Sequence, residues 1–435
     1  MNTFLRSAKG PPALSRIVHG SRRALLCSFF ATLVRLGDAM EKRGGVIVVG
    51  AGPVGFLTAL GLARQGIPVT LLEAEGHIND SPRAAVYFPT TVRILARLGV
   101  LEDALAIGLK SWAFTFRAPA TGQVVSVDNR LTAPGDDEST YNLHFGQHIL
   151  ARIVRQHLER LPNAEIRWNA RVVGLKQDAK SVTVTTESPD GTRAELQADW
   201  VVGTDGGRSG VRNLIGLPFE GHTWPDRFVA TNLYYDFSKY GFGPANMVSD
   251  PVDWAVVAVL GKDNMWRVTY GEDASLPEEE ARRRIPEHYA KILPGSEPYE
   301  IVASSPYRVH ERCAPTFRVG RALLAGDAAH VCNPCGGLGL TTGVIDAMAV
   351  VDTLSAVIAG RAPDSVLDFY SQERRRVYLE VTSPLASNFK RMLSEKDPAQ
   401  REKDFAVFQA MVDDPSRQGT TQNLVTLVLG KPMPV

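Results

Sequence analysis

The sequence predicts an α/β protein in which a Rossmann-like lobe is interrupted by an inserted antiparallel β-sheet and followed by a helical C-terminal tail. Three observations lead to this prediction. A β-branched run at residues 46–49 opens directly onto a glycine-rich turn at residues 50–55. Two further strand-like runs end in turns that pair aspartate with glycine, at Asp205 and at Asp327. Between these two turns, polar and apolar residues alternate, which is typical of antiparallel strands.

The composition is that of an ordinary globular protein. The chain has 435 residues, of which 44% are hydrophobic and 22% charged, and this length allows two or three domains of roughly 100–200 residues. The formal net charge of +1 provides no basic field for nucleic acid. Four cysteines are too few for a disulfide framework and fit a reducing compartment. No apolar run approaches the roughly 20 residues of a membrane-spanning helix.

The first 39 residues differ from the rest of the chain. They hold six basic residues and a single acidic residue, Asp38. This composition is found in organellar transit peptides and also suits a helix lying on a membrane surface, so a mitochondrial or membrane-associated location stays open. We favour a third interpretation, in which Met40 serves as the start, residues 1–39 are dispensable and the protein is cytoplasmic. Membrane contact is expected only through residues 1–39.

The first motif is a strand, a glycine-rich turn, a helix and a second strand. In the turn, we expect Gly50 to permit the tight bend, Gly52 to let the backbone approach a pyrophosphate, and Gly55 to let the helix pack on the strand. The helix N-terminus would supply amide donors and the positive end of a dipole. Glu73 ends the second strand, where an acidic side chain can accept from ribose hydroxyls. The unit therefore predicts a dinucleotide site.

The second and third motifs are the strand that ends in Asp205-Gly206 and the strand that ends in Gly326-Asp327. With the glycine-rich turn, they make residues 45 to about 385 resemble the class A flavoprotein monooxygenases, the family of para-hydroxybenzoate hydroxylase and phenol hydroxylase. The resemblance implies FAD as the cofactor and NAD(P)H as a co-substrate. No second strand–GxGxxG–helix unit occurs in the sequence, so we expect NAD(P)H to approach at the surface, near Asp205 and Arg212.

The resemblance also assigns roles to residues. The ADP half of FAD would lie on the first motif, its pyrophosphate near Asp205, and its ribityl chain at Asp327. Two weaker matches add an arginine near the phosphates and a glutamine on the ribityl side. Amides at the start of the helix after the third motif would face the flavin pyrimidine, where reduced flavin is anionic. The cofactor-binding candidates are Gly50, Gly52, Gly55, Glu73, Arg83, Gln147, Asp205, Asp327, Gly339 and Leu340.

The loop after the third motif departs from the family pattern. Many relatives read Pro-Pro-x-Gly-Gly-Gln-Gly-Met-Asn there, whereas this chain keeps Pro334 and the glycines but has Leu338 and Thr341 in place of polar residues. The departure indicates a variant subgroup, several of whose members serve secondary metabolism. Cys332 and Cys335 have CxxC spacing, but we interpret them as small residues packed near FAD, expect no metal site, and assign His330 a structural role.

The inserted sheet is expected to form the substrate lobe, with one face over the flavin. Tyr234, Tyr235, Arg267 and Tyr270 are candidates to orient a phenol or to help remove its proton. Because neighbouring strand residues point to opposite faces, at most one of Tyr234 and Tyr235 faces the site. The catalytic candidates are therefore Pro334, Tyr234 and Arg267.

The expected organisation has five segments: a basic extension (1–44), the first part of the FAD-binding lobe (45–215), the substrate-lobe sheet (216–312), the rest of the FAD-binding lobe (313–362) and the helical tail (363–435). The expected function is hydroxylation of a small phenolic or polyketide-like aromatic with O2, through a flavin C4a-hydroperoxide shielded from water. Epoxidation, ring-opening oxygenation or oxidative decarboxylation of a natural product, and a non-catalytic flavoprotein, are the alternatives. The sequence leaves the oligomeric state unknown.

Overall fold

The structure is a computed structural model that describes residues 41–42, 44–82, 84–128, 130, 140–414 and 428–435. The basic extension, up to residue 39, and Arg83 lie outside the described residues. Within them the fold is α/β, with a mostly parallel sheet, a large mostly antiparallel sheet and a series of helices near the C-terminal end.

A six-stranded sheet carries the three motifs. Four of its five strand pairs are parallel, and the strands that lead into the three motifs are direct neighbours. Because parallel strands end at the same edge of a sheet, the three turns that follow these strands meet there. In spatial order the strands are β19 (Arg318–Val319), β20 (Ala322–Leu324), β13 (Trp200–Gly203), β2 (Val46–Val49), β3 (Val69–Leu72) and β9 (Ala164–Arg167).

The inserted sheet has eight strands, and its central strands are antiparallel, as the alternation of residues 228–270 predicts. Two of its strands come from residues 113–128, far earlier in the chain, and join it through the parallel pair β15–β6. In spatial order the strands are β21 (His330–Val331), β18 (Glu300–Cys313), β14 (Glu220–Tyr234), β17 (Met265–Asp273), β16 (Ala255–Val259), β15 (Ala245–Val248), β6 (Ala113–Ala118) and β7 (Gln123–Asp128).

Two smaller sheets complete the strand inventory of the described residues. One contains β1 (Glu41–Lys42), β12 (Arg193–Ala198), β11 (Val182–Glu187) and β10 (Arg171–Gln177), in that order. The other contains β4 (Val86–Tyr87), β8 (Asn142–His144) and β5 (Leu109–Ser111).

The helices follow the motifs and form the tail. They are α1 (Pro53–Arg64), α2 (Pro89–Arg97), α3 (Leu101–Ile107), α4 (Gln147–Leu158), α5 (Gly210–Leu214), α6 (Glu278–Arg283), α7 (Ile285–Ile292), α8 (Leu338–Ile358), α9 (Val366–Val377), α10 (Ser383–Leu393) and α11 (Pro398–Asp413). A π-helical turn, Tyr378–Thr382, joins α9 to α10.

Helix α8 corrects one expectation from the sequence. It is 21 residues long and apolar enough to cross a membrane by length and composition, although we expected no apolar run of that size. Its most apolar window is 83% buried inside the protein, where it packs on α1 closely enough that a Cβ at Gly61 would lie 2.6 Å from Val351. The apolar sequence of α8 is thus accounted for by its place in the core.

The eight-stranded sheet is buried on both faces. Val229, Val268 and Tyr270 belong to a cluster completed by Ile285 and Tyr289 of α7. Phe228, Met247 and Trp254 belong to a cluster on the other face, which includes Cys335 from the loop after the third motif. The second face therefore lies beneath that loop.

Candidate active site

The three glycines of the first turn are required for three different reasons. Gly50 has a φ of +101°, and a Cβ there would lie 2.7 Å from the Cα of Asp205. At Gly55, a Cβ would lie 1.8 Å from the carbonyl oxygen of Gly50. At Gly52, a Cβ would meet no protein atom within 4 Å. Close packing thus explains Gly50 and Gly55, whereas Gly52 borders open space that a ligand can enter.

The carboxylate of Glu73 lies against this turn. Its Oε2 accepts a hydrogen bond from the amide of Ala51 at 2.7 Å, and its Oε1 accepts from the amide of Glu75 at 2.9 Å. The acidic side chain is therefore fixed beside the glycine-rich turn, as the sequence predicts for an acceptor of ribose hydroxyls.

The DG turn, residues 204–206, contacts the first turn directly. The Thr204 hydroxyl donates to the carbonyl oxygens of Val49 and Gly50, at 2.7 and 3.0 Å. The Asp205 carboxyl accepts from the Ser209 hydroxyl at 2.5 Å and from the Val211 amide at 3.1 Å. Burial raises the pKa of Asp205, and these hydrogen bonds oppose the rise.

Arg212 does not have the role that the sequence suggested for it. Its side chain is 4% exposed, and its guanidinium donates to the carbonyl oxygens of Ala328 and Gly207, at 2.8 and 2.9 Å. These bonds join the DG turn to the GD turn, Gly326–Ala328. The guanidinium therefore braces two turns and is not presented to NAD(P)H at the surface.

The GD turn and α8 meet the first helix at a single side chain. A Cβ at Gly326 would lie 2.9 Å from Val54, and a Cβ at Gly343 would lie at the same distance from it. Asp327 lies in this turn with an exposed side chain, between the buried residues Gly326 and Ala328. The three motifs that the sequence places far apart are thus in contact, with Asp327 on the open side.

Helices α1 and α8 both begin at this junction with glycine as the N-cap residue. Neither start has a capping side chain or an acidic residue in its first turn. The first amides of a helix have no partner inside it, so both helix starts suit a negatively charged group. Gly339 and Leu340 lie in the first turn of α8, half-buried. Pro334 is exposed in the preceding loop, where its carbonyl accepts from the Gly337 amide at 3.0 Å.

The remaining candidates near this junction are placed less decisively. Gln147 is the first residue of α4, half-buried, and its amide donates to the carbonyl of Ala84 at 3.1 Å. His330 is buried and bonded to Asp346 at 2.6 Å. Burial raises the pKa of the Cys332 thiol, and that of Cys335 to about 12, so the CxxC pair lacks the thiolate character of a redox motif.

Arg267 is the member of the substrate-lobe candidates that enters a buried polar site. Its Nε and Nη2 donate to Asn232 Oδ1 at 3.0 and 2.8 Å, while its Nη1 is buried with no hydrogen-bond partner. Asn232 is four residues from Phe228 on the same strand, so Arg267 lies on the face beneath the loop after the GD turn. Burial lowers the pKa of Arg267 to about 10, and the nearby phenols of Tyr307 and Tyr87 oppose this.

Sequence reasoning missed Tyr87 as a member of this site. Its side chain is 1% exposed and stacks on Phe145 with ring centroids 4.4 Å apart, and its hydroxyl is buried without a partner. Burial raises the pKa of Tyr87, and Arg267 lowers it, which shows that the two side chains are neighbours. Tyr87 lies in a two-residue strand that carries no periodic signal, so only tertiary contacts reveal it.

The other tyrosines do not join Arg267. Tyr234 ends β14 with 40% of its surface exposed, so the structure does not bring this catalytic candidate into the buried site. Tyr270 lies on the opposite face, in contact with His288 of α7 at 4.5 Å between rings. Tyr235 packs on that face too, beside Phe237.

Comparisons with known proteins agree with this site. A family model described as an FAD binding domain matches residues 43–383. Para-nitrophenol 4-monooxygenase of Pseudomonas sp. (strain WBC-3) is 49% identical over 373 residues, 85% of this chain and 92% of that protein. The 6-hydroxy-3-succinoylpyridine 3-monooxygenase of Pseudomonas putida (strain DSM 28022 / S16) is 44% identical over 369 residues, 84% of this chain and 93% of that protein.

Among solved structures, the crystal structure of p-nitrophenol 4-monooxygenase from Pseudomonas putida DLL-E4 matches with a TM-score of 0.86 and 46% identity, covering 90% of this chain and all of that one. The fold and the site thus define a class, the flavoprotein monooxygenases. The chain belongs to the FAD-binding family of class A aromatic hydroxylases. It is an FAD-dependent monooxygenase that hydroxylates an aromatic substrate with O2, as the sequence predicts.

Proposed function

We propose that this enzyme consumes NAD(P)H and O2 to oxygenate a phenol-like ring at a substituted carbon para to its hydroxyl group. The names of the two relatives support this. In para-nitrophenol, the oxygenated position 4 carries the nitro group. In 6-hydroxy-3-succinoylpyridine, the oxygenated position 3 carries the succinoyl group. Both positions are para to the hydroxyl, so one geometry of the ring in the site would serve both reactions.

The observation that carries the proposal is the pair of unpartnered polar atoms, Arg267 Nη1 and Tyr87 Oη. A buried donor without an acceptor costs about 1–3 kcal/mol, and a buried cation without a counter-charge costs more. Arg267 is bonded to an amide oxygen, and the groups that act on its pKa are phenols. The ionised hydroxyl of a phenol would accept from both atoms and balance the charge. It would thereby direct the para carbon away from this pair.

The cofactor side of the site provides the remaining functions. FAD supplies oxygen activation after its reduction by NAD(P)H. The open space at Gly52, the carboxylate of Glu73 and the exposed Asp327 suit its ribose, pyrophosphate and ribityl groups, and Arg83, Gln147 and Asp205 are further candidates. The first amides of α8, at Gly339 and Leu340, would stabilise negative charge on the pyrimidine end of the ring. The loop that carries Pro334 would exclude water from this region.

The test uses substrate-stimulated oxidation of NADH and of NADPH by the purified holoenzyme, with para-nitrophenol and with unsubstituted phenol. We expect para-nitrophenol to stimulate oxidation, release of nitrite, and incorporation of one oxygen atom from labelled O2. Equal stimulation by phenol with no loss of the para substituent would contradict the proposed position of attack.

The substrate-binding pair is tested by Arg267→Met and Tyr87→Phe, with Tyr234→Phe as the matched control. Because hydrogen bonds to charged groups contribute about 1.5–3 kcal/mol, we expect Arg267→Met to raise KM roughly 10- to 100-fold. Tyr87→Phe should raise it less, and Tyr234→Phe should leave it within twofold of the wild type. An unchanged KM in Arg267→Met would refute the assignment.

A further inference from the structure

A buried ion cluster lies directly behind the GD turn. Asp346 of α8 is fully buried, and its Oδ2 accepts from the Gly326 amide at 3.1 Å and from His330 Nε2 at 2.6 Å. Its Oδ1 accepts from Arg374 Nε at 2.6 Å. Burial would raise the pKa of Asp346, but the charges of His330 and Arg374 lower it to about 2. The backbone at the start of the GD turn is therefore held by a carboxylate.

Two tyrosines from the same region hold the strands on either side of the turn. The Tyr370 hydroxyl donates to the carbonyl of Leu324 at 2.7 Å, just before the turn. The Tyr378 hydroxyl donates to the carbonyl of Val331 at 2.7 Å, just after it, and its ring stacks on His330 at 4.6 Å. Helix α9 and the π-helical turn that follows it thus fix the GD turn from outside the cofactor side.

Helix α9 is itself held by residues 428–435, which we call the strap. Arg374 Nη1 donates to the carbonyl oxygens of Val428 and Leu429, both at 3.0 Å. The amide of Lys431 donates to Glu373 Oε1 at 2.7 Å. Gly430 has a φ of +70°, and a Cβ there would lie 2.7 Å from Val377. Backbone and side-chain bonds therefore run without a break from the strap, through Arg374 and Asp346, to Gly326.

We propose that the strap positions the GD turn for FAD, with Arg374 as a positioning residue that never touches the cofactor. The inference rests on the proposed contact between Asp327 and FAD. If the strap leaves its groove, Arg374 loses two acceptors, and its Nη2 is already buried without one. A buried cation that lacks acceptors is costly. The guanidinium then moves toward water, the hold of Asp346 on Gly326 weakens, and Asp327 loses its fixed place.

The experiment compares full-length variants by titrating each apoprotein with FAD and recording its thermal unfolding without FAD. Gly430→Ala obstructs the strap, and Arg374→Lys keeps the charge but lacks the second arm that reaches the strap carbonyls. Ile292→Ala is the control, because it opens a cavity on the α7 face of the other sheet. Asp327→Asn reports on the turn itself.

We expect Gly430→Ala and Arg374→Lys to raise the Kd for FAD about tenfold, to alter the visible circular dichroism of bound FAD, and to leave the KM for the aromatic substrate unchanged. Ile292→Ala should lower the unfolding temperature at least as much without changing the Kd. If Asp327→Asn weakens FAD binding but both strap variants stay within twofold of the wild type, the inference is wrong. A Kd that rises in Ile292→Ala as well would reduce the effect to general destabilisation and overturn it too. If Asp327→Asn binds FAD normally, the premise about the GD turn fails instead.

Discussion

A pair of alanine substitutions in the first turn separates the packing role of its glycines from their role toward FAD. In Gly55→Ala, the new methyl group would lie 1.8 Å from the Gly50 carbonyl oxygen and 2.6 Å from the Thr204 hydroxyl. The helix would have to move by at least 1.2 Å to bring the first contact to the 3.0 Å that real side chains tolerate. In Gly52→Ala, the methyl group meets no protein atom, and the backbone is extended, with φ −78° and ψ 177°.

The two variants should therefore fail in different ways. Overpacking costs about 1–3 kcal/mol, and we expect Gly55→Ala at the upper end because the obstructing atoms are a carbonyl and a hydroxyl held by two hydrogen bonds. Gly52→Ala should change the stability of the apoprotein by less than about 1 kcal/mol, since reduced chain entropy offsets a poorer N-cap. Its methyl group would occupy the path of the pyrophosphate, so the Kd for FAD should rise at least tenfold.

Urea unfolding of each apoprotein and fluorescence titration with FAD measure the two effects separately. If Gly52→Ala binds FAD as tightly as the wild type, the cofactor does not approach the chain at this turn. If Gly55→Ala is as stable as the wild type, the contact between the first turn and the DG turn is not as close as the structure shows.

Three further outcomes are expected. Asp327→Asn should lose FAD during gel filtration, visible as a lower ratio of 450 nm to 280 nm absorbance; full retention would contradict its ribityl role. Asp346 has a lowered pKa, so its contribution to stability is present above its ordinary value near 3.8 and is lost as the pH falls toward 2. Unfolding by denaturant between pH 5 and pH 2 should show this loss, and Asp346→Asn should flatten it. A chain that begins at Met40 should keep its activity and its cytoplasmic location in cell fractionation; a change in either would show that residues 1–39 matter.

The parts of the fold that sequence predicts well are those in which local chemistry has one solution. The β-branched run at residues 46–49, the glycine spacing and Glu73 each require the strand–turn–helix arrangement that the structure shows. The three motif strands lie side by side because all three turns must meet at one edge. By contrast, strands β6 and β7 join the inserted sheet from far away in the chain, and no local pattern announces a partner that distant.

The substrate side was harder to predict because the eight-stranded sheet is buried on both faces. Arg267 and Tyr270 are three residues apart, so they point to opposite faces, but apolar residues on both sides conceal which face is the functional one. Tyr87 and Asn232 matter through a contact between remote segments, and neither belongs to a motif. The structure adds them by showing two buried polar atoms that lack partners, which is a signal only coordinates carry.

Helix α8 is as greasy as a segment made for lipid, yet it spends its length among other side chains. Before it docks, the nascent polypeptide presents 21 such residues in one block, which invites self-association and capture by chaperones. FAD added during refolding would favour the docked state, since a ligand that binds only the native form shifts the balance toward it. The yield of usable enzyme from an expression host should accordingly depend on the supply of riboflavin.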